Sequence, residues 1–182
     1  MTIEVRRQRP DDDQVQDVLT AAFADDGHVA ELAAALRARP DIQASIVAVV
    51  AAGDGDRVVG HVHLSVSWVD APSRLIEVLT LSPLGVDPAR QRDGIGTALV
   101  VAATETAAQL GAPLVFLEGD PAYYGRLGWR PATGMGFRRP SVRIPEVAFQ
   151  AYPLATYDPV TMSGALVYND TFWSYDCVGL RS

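Results

Sequence analysis

Apolar and polar positions recur along the chain in two different periods. Ile3-Glu4-Val5 alternates with period two and predicts a short first strand. Val15, Val18, Leu19, Ala22 and Phe23 follow at helical spacing behind Asp11-Asp12-Asp13, acids suited to capping a helix start. A second helix is predicted over His28 to Arg37, with Val29, Leu32, Ala33 and Leu36 inward and Pro40 beyond its end. The period then changes. Ser45 to Ala52 is a short run rich in Val and Ile and reads as a buried strand. Gly53-Asp54-Gly55-Asp56 turns the chain, and Val58 to Val69 returns it. Leu75 to Val86 makes a third antiparallel strand, interrupted by Pro83, which a sheet tolerates at a bulge or an unpaired edge.

Beyond Val86 a polar loop, residues 87–93, leads into a helix predicted from Gly94 to Leu110, with Ile95, Leu99, Ala102, Thr106 and Leu110 as its apolar stripe. Leu114 to Leu117 is another buried strand, and Pro121 to Leu127 leaves room for only a short helix. Phe149 to Leu154 and Gly164 to Tyr168 are the last two predicted strands. Antiparallel strands, a β-helix-β unit and a final pair together predict an α/β fold with a mixed central sheet. Neither repeat nor long linker interrupts the 182 residues, so one domain over residues 1–182 is expected.

Composition narrows the class. With 48% hydrophobic and 20% charged residues the chain reads as an ordinary globular protein. Its longest apolar run, Ile46 to Ala52, is too short to span a bilayer, and Met1 to Arg7 shows no apolar leader. No membrane association is expected, and the cytoplasm is the expected location. The net charge of −7 argues against nucleic-acid binding and suits a cationic small partner. The lone Cys177 excludes an internal disulfide and a Cys-rich zinc site, and reads as a packing thiol. His28, His61 and His63 lack carboxylates at ligand spacing, so no metal is expected. His61 and His63 share one strand face, directed either to a cleft or to solvent.

The turn Gln91-Arg92-Asp93-Gly94-Ile95-Gly96 carries the chemistry. The first amides of a helix lack internal acceptors, and the helix dipole adds positive potential there. Glycines let backbone approach phosphate oxygens, while Arg90 and Arg92 flank the turn. From physics alone this is a site for a phosphate-bearing ligand. A P-loop fails, since no Gly-Lys-Ser/Thr follows. A dinucleotide unit has Glu118 in the place of a ribose-binding carboxylate, but Leu99 replaces the third glycine and the preceding loop is long. An ordinary glycine-bearing loop is the remaining reading.

Gln91-x-x-Gly94-x-Gly96, preceded by Leu84-Gly85-Val86-Asp87-Pro88, resembles the acetyl-CoA signature of the GNAT N-acetyltransferase superfamily. Gly119-Asp120-Pro121-Ala122-Tyr123-Tyr124-Gly125-Arg126-Leu127-Gly128-Trp129 resembles its second motif, and the combination looks like the YhbS-like bacterial branch. The two motifs cover residues 75–132. The resemblance implies a GNAT-like fold: a mostly antiparallel sheet flanked by helices, with a bulged strand, Leu81 to Val86, splayed from Leu114 to Leu117. It implies acetyl-CoA as co-substrate, without metal, held by Leu84, Gly85, Val86, Gln91, Arg92, Asp93, Gly94, Ile95, Gly96, Thr97 and Arg126. An amide near Val86 would polarise the thioester carbonyl, and Tyr124 aligns with the tyrosine that protonates the leaving thiolate.

The implied reaction is direct attack by an amine, on a small molecule or a protein, in a ternary complex of a monomer or homodimer. It suits a sequence without a credible Cys-His or Ser-His pair. Glu77, Glu118 or an ordered water remain open as base. The family's early asparagine is absent, with Asp120 nearby instead. Tyr168, Phe172 and Trp173 are candidates for an acceptor pocket, for aromatic core or for dimer contacts. A non-catalytic acyl-CoA-binding domain and a nucleotide-dependent oxidoreductase using Glu118 are the competing functions.

Overall fold

The structure, a computed structural model, describes residues 2–23, 27–39, 42–53 and 55–179. Pro40 and Asp54, assigned above to a helix stop and a turn, lie outside these residues. Strands β1 (Ile3–Arg7), β2 (Ile42–Ala52), β3 (Gly55–Asp70) and β4 (Leu75–Val86) run antiparallel, each to the next. Their alternating Val, Ile and Leu side chains feed two faces, as period two requires. Helices α1 (Val15–Phe23) and α2 (His28–Arg37) pack on one face, where Val15, Val18, Leu19 and Ala33 meet Val47, Val49 and Val58. Helix α3 (Ile95–Gln109) covers the other face, with Ile95 and Leu99 against Ile46, Val62 and Leu64.

Strand β5 (Leu114–Glu118) returns parallel to β4 through α3. A four-residue helix, α4 (Pro121–Tyr124), and two short strands, β6 (Arg130–Pro131) and β7 (Phe137–Arg138), follow. Strand β8 (Phe149–Pro153) pairs antiparallel with β5. Strand β9 (Gly164–Tyr168) takes the edge of β3 from Ser67 to Asp70, beyond the point where β2 starts. A final helix, α5 (Asp170–Ser174), starts at Asn169, whose side chain accepts from the Thr171 N–H at 3.1 Å. The fold is therefore the expected mixed, mostly antiparallel sheet flanked by helices.

Two features of β4 shape everything that follows. Val62 pairs with Leu84 but Leu64 pairs with Leu81, so β4 carries one extra residue at Ser82-Pro83. This is the bulge, and Pro83, without an N–H to donate, sits in it. On the other side, β4 pairs with β5 only at Leu79↔Val115 and Thr80↔Phe116. Past Thr80 the two strands splay, and among the described residues Leu81 to Val86 have no strand partner on that edge.

Three expectations need correction. The apolar stripe of α3 is Ile95, Leu99, Ala103 and Ala107 with Val100, while Leu110 is 44% exposed. Small alanines let the helix lie close to the sheet, so contact follows a four-residue spacing. Asp12 does not cap α1: its carboxylate takes the Arg6 guanidinium at 2.6 and 2.8 Å and the Arg9 N–H at 2.5 Å. That charge-assisted pairing outcompetes a cap and holds the acid's pKa below the usual carboxylate range.

The third correction concerns His61 and His63. They share a face, but it points neither to solvent nor into the cavity that Tyr124 borders: both rings are buried and line a separate recess with Val15, Ala33 and Arg37 of α1 and α2. His61 Nε2 is 2.8 Å from Ser45 Oγ, a Ser–His pair that separation in sequence concealed. His61 Nδ1 and both ring nitrogens of His63 are buried without a partner. Burial, then the neighbouring Arg37, pushes His63 down to about 4, and burial, His63 and Arg37 hold His61 well below its ordinary range. The unfolded chain takes up protons near pH 6.5 that the folded chain refuses, so stability falls as pH drops from there towards the folded values. At pH 5 the expected loss from His63 alone is about 2 kcal/mol relative to pH 8. Urea melts of the wild type and of His63→Leu at both values check this; an equal pH slope in the two would contradict it.

Candidate active site

The loop after β4 is built to present amides. Asp87 accepts from the Ala89 N–H at 2.9 Å, starting a 3-10 turn over Pro88–Arg90. Arg92 (φ 70) and Gly94 (φ 83) then adopt left-handed backbone, which throws the chain into α3. No side chain caps α3, so the amides of its first turn face outward. They open on a cleft of about 650 Å³ that Leu84, Gly85, Val86, Gln91, Arg92, Gly94, Gly96, Thr97 and Arg126 line.

Nine of the eleven residues expected to hold the coenzyme thus border one cavity. Two do not line it. Asp93 binds Arg90 at 2.9 Å, which also engages the arginine expected beside a phosphate, and Ile95 is buried in the core. Gly85 has a packing reason as well: a Cβ there would lie 2.7 Å from Leu19 Cδ2, so α1 needs the glycine to approach β4. Sequence reading missed Tyr123, Ala22 and Phe23, which also line the cleft. Tyr123 places its hydroxyl 3.5 Å from Thr97 Oγ1, at the start of α3. Neighbouring tyrosines gave no signal as to which would enter which cavity.

Tyr124 goes to the second cavity. Its walls, about 680 Å³ around, come from Leu81 to Leu84 of the bulge, from Phe23, His28, Val29 and Leu32, from Glu118, and from the tail at Asp176, Cys177 and Gly179. Phe23 and Leu84 line both cavities, so the two meet at the splayed edge of β4. Asp120 caps α4, accepting from the Ala122 N–H at 2.8 Å, and Pro121 fixes its first residue. The Tyr124 ring is then wedged edge-on against Tyr123 and Trp129, with centroids at 4.9 and 5.8 Å. Burial, reinforced by Tyr123, raises its pKa far above the ordinary tyrosine range, so the hydroxyl stays protonated.

Of the two carboxylates left open as base, Glu118 alone borders this cavity. Its Oε1 accepts from Tyr168 Oη at 2.9 Å and its Oε2 from the Gly179 N–H at 3.1 Å. Burial raises its pKa, and those two hydrogen bonds oppose the rise. Held there, it cannot serve a ribose beside the α3 turn, which removes the dinucleotide reading's carboxylate. Glu77 is exposed and borders a separate recess with Gln43 and Leu110. Tyr168 and Phe172 are core residues, and Trp173 is exposed under Arg143, 6.0 Å from its guanidinium carbon. Cys177 is half-buried, donating to the Tyr175 carbonyl at 3.3 Å. Among the described residues no group of three His, Cys, Asp or Glu could hold a metal. No helix among them is long and apolar enough to cross a membrane.

A sheet split beside an uncapped helix start, with a tyrosine at the far end of the gap, is the arrangement that the resemblance to acyl-CoA-dependent N-acyltransferases implies. The comparisons agree. The profile of the acetyltransferase (GNAT) domain matches residues 4–132, and the chain belongs to the GNAT family. It is 30% identical over 125 residues to the uncharacterized N-acetyltransferase YhbS of Escherichia coli K12, covering 68% of this chain and 72% of that protein. The crystal structure of Escherichia coli YhbS in complex with CoA matches with a TM-score of 0.81 and 26% identity, over 93% of this chain and 91% of that one. A GNAT acetyltransferase of Brucella melitensis in complex with acetyl-CoA matches with a TM-score of 0.73 and 27% identity, over 94% and 98%.

Proposed function

We propose that the protein transfers an acetyl group from acetyl-CoA to a primary amine, on a small molecule or a protein, by direct attack in a ternary complex. The observation that carries this reading is the free edge of Leu81 to Val86, running from the α3 amides to Tyr124. The pyrophosphate sits on the amides of Ile95, Gly96 and Thr97, with Gln91, Arg92 and Arg126 around it. Pantetheine pairs along Leu84 to Val86 as a substitute strand, and an amide near Val86 polarises the thioester carbonyl. The amine nitrogen attacks that carbon, the C–S bond breaks, and Tyr124 gives its proton to the departing sulfur. The proton shed by nitrogen passes to Glu118 or to an ordered water. No acyl-enzyme is required, and the Ser45–His61 pair borders neither cavity.

The net charge of −7 favours a cationic acceptor over nucleic acid, and the reading places the reaction in the cytoplasm within a single domain, without metal. Calorimetric titration with acetyl-CoA, CoA and NAD tests the coenzyme, and thiol release over an amine panel tests the transfer. Binding of acetyl-CoA and CoA is expected, with thiol release by at least one primary amine. Binding of NAD without CoA would remove the site; CoA binding without thiol release for any amine would leave a binding module.

A further inference from the structure

Tyr123 stands between the coenzyme cleft and the acid. It lines the cleft, and its ring meets the Tyr124 ring edge-on with centroids 4.9 Å apart. Its hydroxyl lies over Gly96: a Cβ built there would stand 2.9 Å from Tyr123 Oη and 3.8 Å from Val86 Cγ2. The hydroxyl therefore occupies the corner where the end of β4 meets the first turn of α3. The bare glycine makes room for it, a second reason for Gly96 besides the approach of phosphate. Among the described residues the hydroxyl's hydrogen-bond partner is Thr97 Oγ1 at 3.5 Å, well beyond the usual O–H···O separation of about 2.8 Å. So long a contact leaves its proton available to a stronger acceptor. Arg126 follows Tyr123 by three residues, as neighbours on a helical surface do, and lines the same cleft. A donor hydroxyl, a guanidinium and the outward amides of α3 thus surround one corner.

We propose that Tyr123 binds the coenzyme and positions the acid: its hydroxyl donates to the pyrophosphate, at the phosphate nearer the pantetheine arm, and its ring holds Tyr124 at the gap. The proposal rests on the acetyltransferase reading above. The bound phosphate replaces the 3.5 Å contact to Thr97 with a charge-assisted hydrogen bond. A hydrogen bond to a charged group is worth about 10- to 100-fold in affinity. An acyl donor without phosphates gains nothing from this hydroxyl, yet still depends on the ring. Hydroxyl and ring are therefore separable by the choice of donor.

Turnover of acetyl-CoA and of S-acetylpantetheine, which carries no phosphate, by wild type, Tyr123→Phe and Tyr123→Leu tests this. Tyr123→Phe keeps the ring and is expected to bind CoA about tenfold or more weakly by calorimetry, with KM for acetyl-CoA raised as much. With S-acetylpantetheine it should lose at most about twofold in kcat/KM, and the inhibition constant of that compound against CoA binding should move as little. Tyr123→Leu is expected to add a fall of about tenfold in kcat with both donors, because Tyr124 loses one of the rings that flank it. In a Tyr124→Phe background that added fall should vanish. Melting temperatures of the variants separate these effects from misfolding. Unchanged CoA affinity in Tyr123→Phe, or an equal loss with both donors, overturns the phosphate contact; an undiminished kcat in Tyr123→Leu overturns the positioning role. Each of these leaves the acetyltransferase reading standing. Absence of CoA binding and of turnover in the wild type overturns that reading and the proposal with it.

Discussion

Gly96→Glu should lower the affinity for acetyl-CoA about 1000-fold while the protein stays folded. The nearest atoms to a Cβ built at Gly96 are the Tyr123 hydroxyl at 2.9 Å, Val86 Cγ2 at 3.8 Å and Tyr123 Cζ at 3.9 Å, so a side chain enters the cleft by displacing the tip of one tyrosine. The added carboxylate stands in the first turn of α3, where acids stabilise a helix, and can itself occupy the outward amides. The same charge meets the pyrophosphate at about 4 Å, where like charges repel by about 4 kcal/mol near a protein surface. The variant should thus melt at or above the wild-type temperature and fail to titrate. Gly96→Ala, which adds bulk without charge, should weaken binding only a few-fold. If calorimetry finds Gly96→Glu binding acetyl-CoA normally, the turn at Gln91 to Gly96 is not the phosphate site.

That turn was legible in the sequence because its determinants are local: glycines at fixed spacing, a helix pattern behind them and a strand before. The bulge was legible for the same reason, since Pro83 inside an apolar run admits few placements. What stayed hidden depends on the third dimension. The burial of His61 and His63 follows from α1 and α2 folding back over β3, and nothing within four residues of either histidine announces it. Tyr123 and Tyr124 are adjacent and chemically equal, yet one enters the coenzyme cleft and the other the second cavity. Glu118 found its partners, Tyr168 and Gly179, fifty and sixty-one positions away. Strands β6 and β7 have two residues each, too few to show any period. The α3 stripe misled only in the second half of the helix, where Ala103 and Ala107 are buried in place of Ala102, Thr106 and Leu110, because alanine and leucine count alike as apolar.

Tyr124→Phe should reduce kcat about 100-fold at neutral pH, at the low end of what a positioned general acid supplies, with CoA affinity within about twofold of wild type. Its hydroxyl can act as an acid because burial raises its pKa and keeps it protonated at neutral pH. The deficit should shrink as pH rises, since a thiolate leaving into more basic solvent depends less on a donated proton. Position matters as much as the hydroxyl. A Cβ at Gly119 would lie 2.2 Å from Tyr124 Cε2 and 2.8 Å from its Cδ2, so Gly119→Ala must push the ring away from the gap. A displacement of about 1 Å can cost on the order of 100-fold in rate. Gly119→Ala should therefore approach the kcat of Tyr124→Phe with the hydroxyl still present, and adding it to Tyr124→Phe should cost little more, because both remove one function. Full turnover by Tyr124→Phe takes this tyrosine out of the mechanism; full turnover by Gly119→Ala alone shows that the acid tolerates a shifted ring.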